Sequence, residues 1–181
     1  MPEVWQIMEE QLHFLDHAYN VRIQLFVLMK NHFHLVMSTP DLNLSEAMGW
    51  FMRETSRSLT RAGNRINQTY GGRYFRCVIA SDHYYLNAYK YIYRNAVTAG
   101  VVTRAELYPF STLPGLLGLH PLRIPVKEDL TLFSDVEGTL SWLAQAPSAE
   151  NLESVRRALK KREFKFPTVN RYTHPLENDI M

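Results

Sequence analysis

Cysteine is nearly absent from this chain of 181 residues, where Cys77 stands alone. One thiol cannot close an internal disulfide and has no second thiolate for a cysteine zinc site, so both kinds of small scaffold are excluded. A reducing, cytoplasmic setting is the simplest expectation. Long apolar runs are missing too: no stretch of about 18 apolar residues occurs. The opening MPEVWQIMEEQLHFLDHAYN carries acids where an export signal carries bases. Neither membrane insertion nor secretion is expected. Low-complexity tracts are also lacking, and with 46% hydrophobic and 21% charged residues the composition is that of an ordinary folded protein. The length suits one principal domain with a small appendage.

Net charge is small, +2, but it is unevenly spread. Between residues 53 and 94 eight bases (Arg53, Arg57, Arg61, Arg65, Arg73, Arg76, Lys90, Arg94) face two acids (Glu54, Asp82), a local charge of +6. Basic charge gathered in one segment is the footprint of a phosphate-backbone binder, and a solvated helix face has the same composition.

Residues 3–18 place Val4, Ile7, Met8, Leu12 and Leu15 on one helical stripe. NVRIQLFVLM is rich in β-branched and aromatic residues and, after Lys30-Asn31, HFHLVM resumes the alternation, which predicts two strands joined by a tight turn. From Leu44 to about Ala62 a second helix is expected, capped at Asn43 or Ser45, with Met48, Phe51, Met52, Thr55 and Leu59 inward. Arg53, Arg57 and Arg61 then share its outer face, and Arg65 extends the row if the helix continues. RYFRCVIA reads as a strand after the Gly71-Gly72 turn, and Tyr84 to Arg94 as a third helix. That order is most of a ferredoxin-like arrangement, an α+β fold with helices on one face of an antiparallel sheet, whose first strand is missing before Val4. Beyond Thr112 the chain is turn-rich and then offers the basic amphipathic helix NLESVRRALKKREF, so residues 1–112 are expected as the main domain and 113–181 as a C-terminal helical appendage.

His32 and His34 fall two apart on a predicted strand, which sends both imidazoles to one face about 6 to 7 Å apart along the chain. Two such groups can converge on one ion, although histidine pairs also serve in cores and turns. Tyr91 and Asn95 lie one helical turn apart, but Tyr84, Tyr85, Tyr89 and Tyr93 crowd the same helix, so spacing does not single out a reactive tyrosine.

LMKNHFHLVM resembles the histidine, hydrophobic, histidine motif of HUH-type single-tyrosine transposases, particularly the REP-associated kind, and YKYIYRNAVTAGVV resembles the second motif of that family. MRETSRSL and YGGRYFRCVI look like family segments as well, so the resemblance spans roughly residues 20–112. Two positions depart from the pattern: Ala96 stands where the family has proline, and Lys30 where it often has proline or serine. The resemblance implies a DNA transposase in which Tyr91 is the nucleophile and His32 and His34, with Asn95 as third ligand, hold Mg²⁺ or Mn²⁺. Single-stranded DNA would be cleaved and rejoined through a 5′-phosphotyrosine link. It also implies that Arg53, Arg57, Arg61, Arg73 and Arg76 hold single-stranded or hairpin DNA through its phosphates. Related enzymes act as dimers, whereas the REP-associated kind can be monomeric, and the sequence leaves a homodimer open. A second reading is a decayed, non-catalytic DNA-binding relic, which the missing strand favours. A third, a zinc hydrolase on the histidine pair, lacks an evident third ligand and a placed general base.

Overall fold

The computed structural model describes residues 1–64, 69–166, 174–177 and 179–181, so Arg65 lies outside the described residues. The elements in chain order are α1 (Pro2–Tyr19), β1 (Arg22–Leu28), β2 (Phe33–Ser38), α2 (Leu44–Ala62), α3 (Asp82–Tyr93), α4 (Asn95–Thr98), α5 (Thr112–Leu116), α6 (Leu130–Ser134), α7 (Val136–Ala144) and α8 (Ala149–Leu159). The class is α+β, with β1 and β2 forming an antiparallel pair. Packing divides the chain into two compact units, Met1–Tyr74 with Pro109–Asp129, and Phe75–Tyr108 with Leu130–Met181. These units interleave in sequence, so residues 113–129, expected in the appendage, pack with the first unit, and residues 75–108 with the second.

In the first unit α1 begins with Pro2, whose missing N–H costs nothing in the first turn. It ends at Asn20, whose left-handed φ of 49° aims its N–H at the Leu15 carbonyl. Its buried stripe of Met8, Leu12 and Leu15 packs with Phe26 and Leu28 of β1 and with Ala47, Met48 and Phe51 of α2. On β2, Phe33, Leu35 and Met37 pack against this same core. The two-residue period of a strand therefore turns His34 and Val36 to the opposite face, where they pair with Val27 and Leu25 of β1. Thr55 fixes the far end of the α2 core face, its hydroxyl 2.6 Å from the Phe51 carbonyl and 2.9 Å from the Tyr70 hydroxyl.

The outer edge of β1 is occupied by chain from far along the sequence. Leu28 N–H donates to the Phe110 carbonyl at 2.8 Å, Phe26 N–H to Thr112 Oγ1 at 3.1 Å, and Lys127 N–H to the Ile23 carbonyl at 2.8 Å. Single bridges join Val27 to Ser111 and Ile23 to Val126. The segment 109–129 thus satisfies edge groups that would otherwise be left unpaired next to the core.

The strand expected over RYFRCVIA does not form a ladder. Among the described residues only Val78 pairs, receiving from Phe164 N–H at 2.8 Å and donating to the Arg162 carbonyl at 2.9 Å. Arg76, Val78 and Ala80 are all exposed, Val78 at 52%, so that face of the segment has no apolar layer to fix it as a strand. Cys77 and Ile79 alternate inward and pack on the second unit's core of Ala88, Val155, Ala158, Phe164, Phe166 and Leu176.

In that second unit Ser81 caps α3 by accepting from Tyr84 N–H at 3.2 Å. The cation of Lys90 sits 5.1 Å from the centre of the Trp142 ring on α7, and Arg94 donates to the Leu143 and Ala144 carbonyls that end α7.

Thr112 is the most exacting link in the first unit, since its hydroxyl also lies 3.4 Å from the Phe26 carbonyl. Thr112→Val keeps the shape and leaves Phe26 N–H buried without a partner, so it should lower unfolding stability by about 1–3 kcal/mol. Thr112→Ser should lose less than half as much, as read from urea denaturation of the two variants.

Candidate functional site

His32 lies one residue before β2 and His34 within it, so the chain direction and the pleat together bring their rings to 5.0 Å between centres, nearly perpendicular at 86°. The Asn31 carboxamide oxygen is 2.7 Å from Nδ1 of His32. An amide oxygen only accepts, so the proton sits on Nδ1 and Nε2 keeps its lone pair. Burial lowers the pKa of His32. His34 is brought down to about 4, first by burial and then by the proximity of His32. Both rings are therefore neutral at pH 7, the state in which imidazole ligates a metal. This donor pair fits two corners of a divalent site. Among the described residues no three His, Cys, Asp or Glu side chains converge as a metal cage, so a further ligand has to be of another kind.

Tyr91 and Asn95 belong to the second unit. The α3 helix ends at Tyr93 and α4 begins at Asn95, with Arg94 N–H still bonded to the Lys90 carbonyl at 3.0 Å and Thr98 N–H to the Arg94 carbonyl at 2.8 Å. The helical path continues through the junction and Ala96, at the family's proline position, is fully buried beneath it. Tyr91 packs on the core shared with α8. Burial raises its hydroxyl above the ordinary value of 10.0, with Arg156 acting in the opposite direction and Glu153 adding to the rise. No motif hinted that α8, read as part of an appendage, is the neighbour of this tyrosine.

Along α2 the outward row of Arg53, Arg57 and Arg61 is exposed as expected. Glu54 accepts from Arg53 Nε and from an Arg57 terminal nitrogen, each at 3.0 Å, which leaves Arg61 as the member of the row outside that pairing. Arg73 and Arg76 are exposed on the irregular segment after Gly72. Two bases of the central cluster are not surface charges: Lys90 and Arg94 are 2% and 6% exposed. Burial, and then Arg94, brings the Lys90 amine down to about 8. Their stems and charges are committed to α7, so the positive surface of the segment is smaller than its composition suggests.

The histidine pair, the basic face of α2 and Tyr91 all lie in the part of the chain that comparison with known proteins matches. Residues 2–95 match the IS200-like transposases. The chain belongs to that family, which is one of DNA-processing enzymes. Among solved structures, a REP-associated tyrosine transposase bound to a REP hairpin aligns over 69% of this chain and 74% of its own, with 23% identity and a TM-score of 0.52, a likeness of fold. No curated protein is matched. No described helix is long and apolar enough to cross a membrane.

The neutral state of His34 carries a pH signature. Its folded pKa lies below the ordinary 6.5, so the unfolded chain binds the extra proton, and stability present above 6.5 is lost as pH falls towards about 4. With chelator present, the urea midpoint should drop across that window by the equivalent of at most about 3 kcal/mol. His34→Gln should flatten the drop. An unchanged slope in that variant would rule out His34 as its source.

Proposed function

We propose that the chain is a metal-dependent transposase that cleaves and rejoins single-stranded DNA through a covalent 5′-phosphotyrosine link. The observation that carries this reading is the pair of neutral imidazoles, 5.0 Å apart on one face of the β2 strand, in a chain of the IS200-like transposase family. His32 and His34, joined by Asn95, would hold Mg²⁺ or Mn²⁺. Two imidazoles and an amide suit Mn²⁺ better than Mg²⁺, subject to which ion is at hand. Such an ion supplies Lewis-acid polarisation of a phosphate oxygen.

The remaining chemistry belongs to the chain's own residues. Tyr91 Oη forms the new bond to phosphorus, the bond from phosphorus to the 3′-oxygen breaks, and the phenol proton is balanced by one taken up on the leaving 3′-hydroxyl. Religation is the reverse exchange with a second 3′-hydroxyl, so no outside energy source is required. Arg53, Arg57, Arg61, Arg73 and Arg76 would hold the DNA by its phosphates, and the REP hairpin bound to the solved neighbour supports single-stranded or hairpin DNA as the partner. Action on one DNA by the histidines and the tyrosine can be met by one chain or by a homodimer.

A second reading, a relic that binds DNA without cutting it, draws on the Tyr91 hydroxyl, which burial holds in its protonated, less nucleophilic form. One assay separates the two. Purified protein is incubated with a labelled library of single-stranded hairpins and Mn²⁺ or Mg²⁺, and DNA-linked peptide is mapped by mass. A metal-dependent adduct on Tyr91 is expected, lost in Tyr91→Phe and in the His32→Ala, His34→Ala double variant. Salt-sensitive binding with no adduct under any ion would establish the relic. Arg61→Ala should weaken binding similarly for all sequences and lower the salt slope by about one unit.

A further inference from the structure

A second histidine pair stands on α1, well apart in sequence from His32 and His34. His13 and His17 are one helical turn apart, both exposed, with ring centres 4.3 Å apart and planes only 32° from parallel. Nδ1 of His17 lies 3.0 Å from the His13 carbonyl, an oxygen that can only accept. In the neutral ring the proton is therefore on Nδ1 and the lone pair on Nε2, the tautomer and backbone bond that metal-ligating histidines use. Two nitrogens on one tetrahedral ion lie about 3.3 Å apart, and two exposed histidines one helical turn apart can swing out of their stacked arrangement to share one.

The surroundings select a cation. Before Arg22 the chain has no Lys or Arg, and Glu3, Glu9, Glu10 and Asp16 give it four negative charges. A carboxylate oxygen of Asp16 is 3.6 Å from Nδ1 of His17. A carboxylate beside the imidazole pair suits a cation rather than an anion. We propose that His13 and His17 form a surface site for a late first-row transition ion such as Zn²⁺, Ni²⁺ or Cu²⁺, with water completing its coordination. Imidazole donors favour those ions strongly over Mn²⁺ and give Mg²⁺ almost nothing. Because Leu12 and Leu15 of the same turns are fully buried in the first unit's core, an ion bridging His13 to His17 ties a turn of α1 in its folded form and stabilises that unit by mass action.

The test uses untagged full-length protein and Zn²⁺ itself, measured by competition with a chromophoric chelator and by thermal unfolding. In a His32→Ala, His34→Ala background one equivalent of Zn²⁺ should still bind and raise the unfolding midpoint. Adding His17→Gln, which preserves the helix by circular dichroism, should weaken that binding about tenfold or more and remove the shift. Mg²⁺ at the same concentration should give no shift. Equal Zn²⁺ affinity with and without His17, or no binding once His32 and His34 are gone, would overturn the proposal. Neither result bears on DNA cleavage, which is read from the Tyr91 adduct alone.

Discussion

The alternation of side chains along β2 is the constraint on which the histidine pair depends. Phe33, Leu35 and Met37 bury against α1 and α2, the apolar layer that the first unit's core offers them. Once those three are inward, His34 and Val36 have no choice of face, and a slip of one residue would reverse every position. The register is held from the other side as well. Val27 stands opposite His34, and the groups on the outer edge of β1 are taken up by Phe110, Thr112 and Lys127. The placement of two metal-competent rings thus rests on a hydrophobic layer and on chain returning from about eighty residues downstream, as the Phe26–Thr112 bond shows.

The positive segment shows how charge count and charge placement differ. On α2 a period close to 3.6 sends Met48, Phe51 and Thr55 inward and leaves Arg53, Arg57 and Arg61 outside. Glu54 then takes up part of the charge of the first two, in exposed pairs that contribute little to stability and yield readily to a competing phosphate. On α3 the same kind of residue does something else. Lys90 and Arg94 turn towards α7, where an indole face and the carbonyl end of a helix replace the water and counter-ions a surface base would have. Their role is to dock α7 on the helix that carries Tyr91.

What was legible in the sequence was local. The α2 helix spans Leu44–Ala62, matching its apolar period, and the β1–β2 hairpin follows from two alternating runs around Lys30-Asn31. Each of these elements is specified by residues within one window. Other segments depend on partners far along the chain. RYFRCVIA has the composition of a strand, but a strand needs a neighbour, and Val78 finds only Glu163 among the described residues. Residues 113–129 looked like the start of an appendage because their turn-forming residues carry no sign that Ile124 and Val126 pack on the first core. Similarly, nothing near Lys90 or Arg94 marks them as buried, since Trp142 and Leu143 lie about fifty positions away. The histidine pair was legible because residues two apart in extended chain share a face, whereas which face that is depends on the layer beneath. The choice of Tyr91 among five tyrosines of α3 was not, and came only with the family pattern.

Tyr91 also shows what a transposase reading asks of this chain. A phenol with an ordinary pKa of 10.0 is a poor nucleophile at neutral pH, and burial on the α8 side raises it further. The nearby Arg156 works against that rise and Glu153 works with it, but Glu153 is itself engaged by Arg157 at 2.9 Å, which diverts part of its charge. The resting tyrosine is thus a protonated, partly covered side chain. Stabilisation has to come where charge develops, on the phosphate oxygens of the bound strand. On the proposed reading, neutral imidazoles would serve that purpose better than imidazolium, because they could ligate a divalent ion with no proton to lose first. Burial thus acts on both groups in the same sense, favouring the uncharged imidazole of His34 and the uncharged phenol of Tyr91.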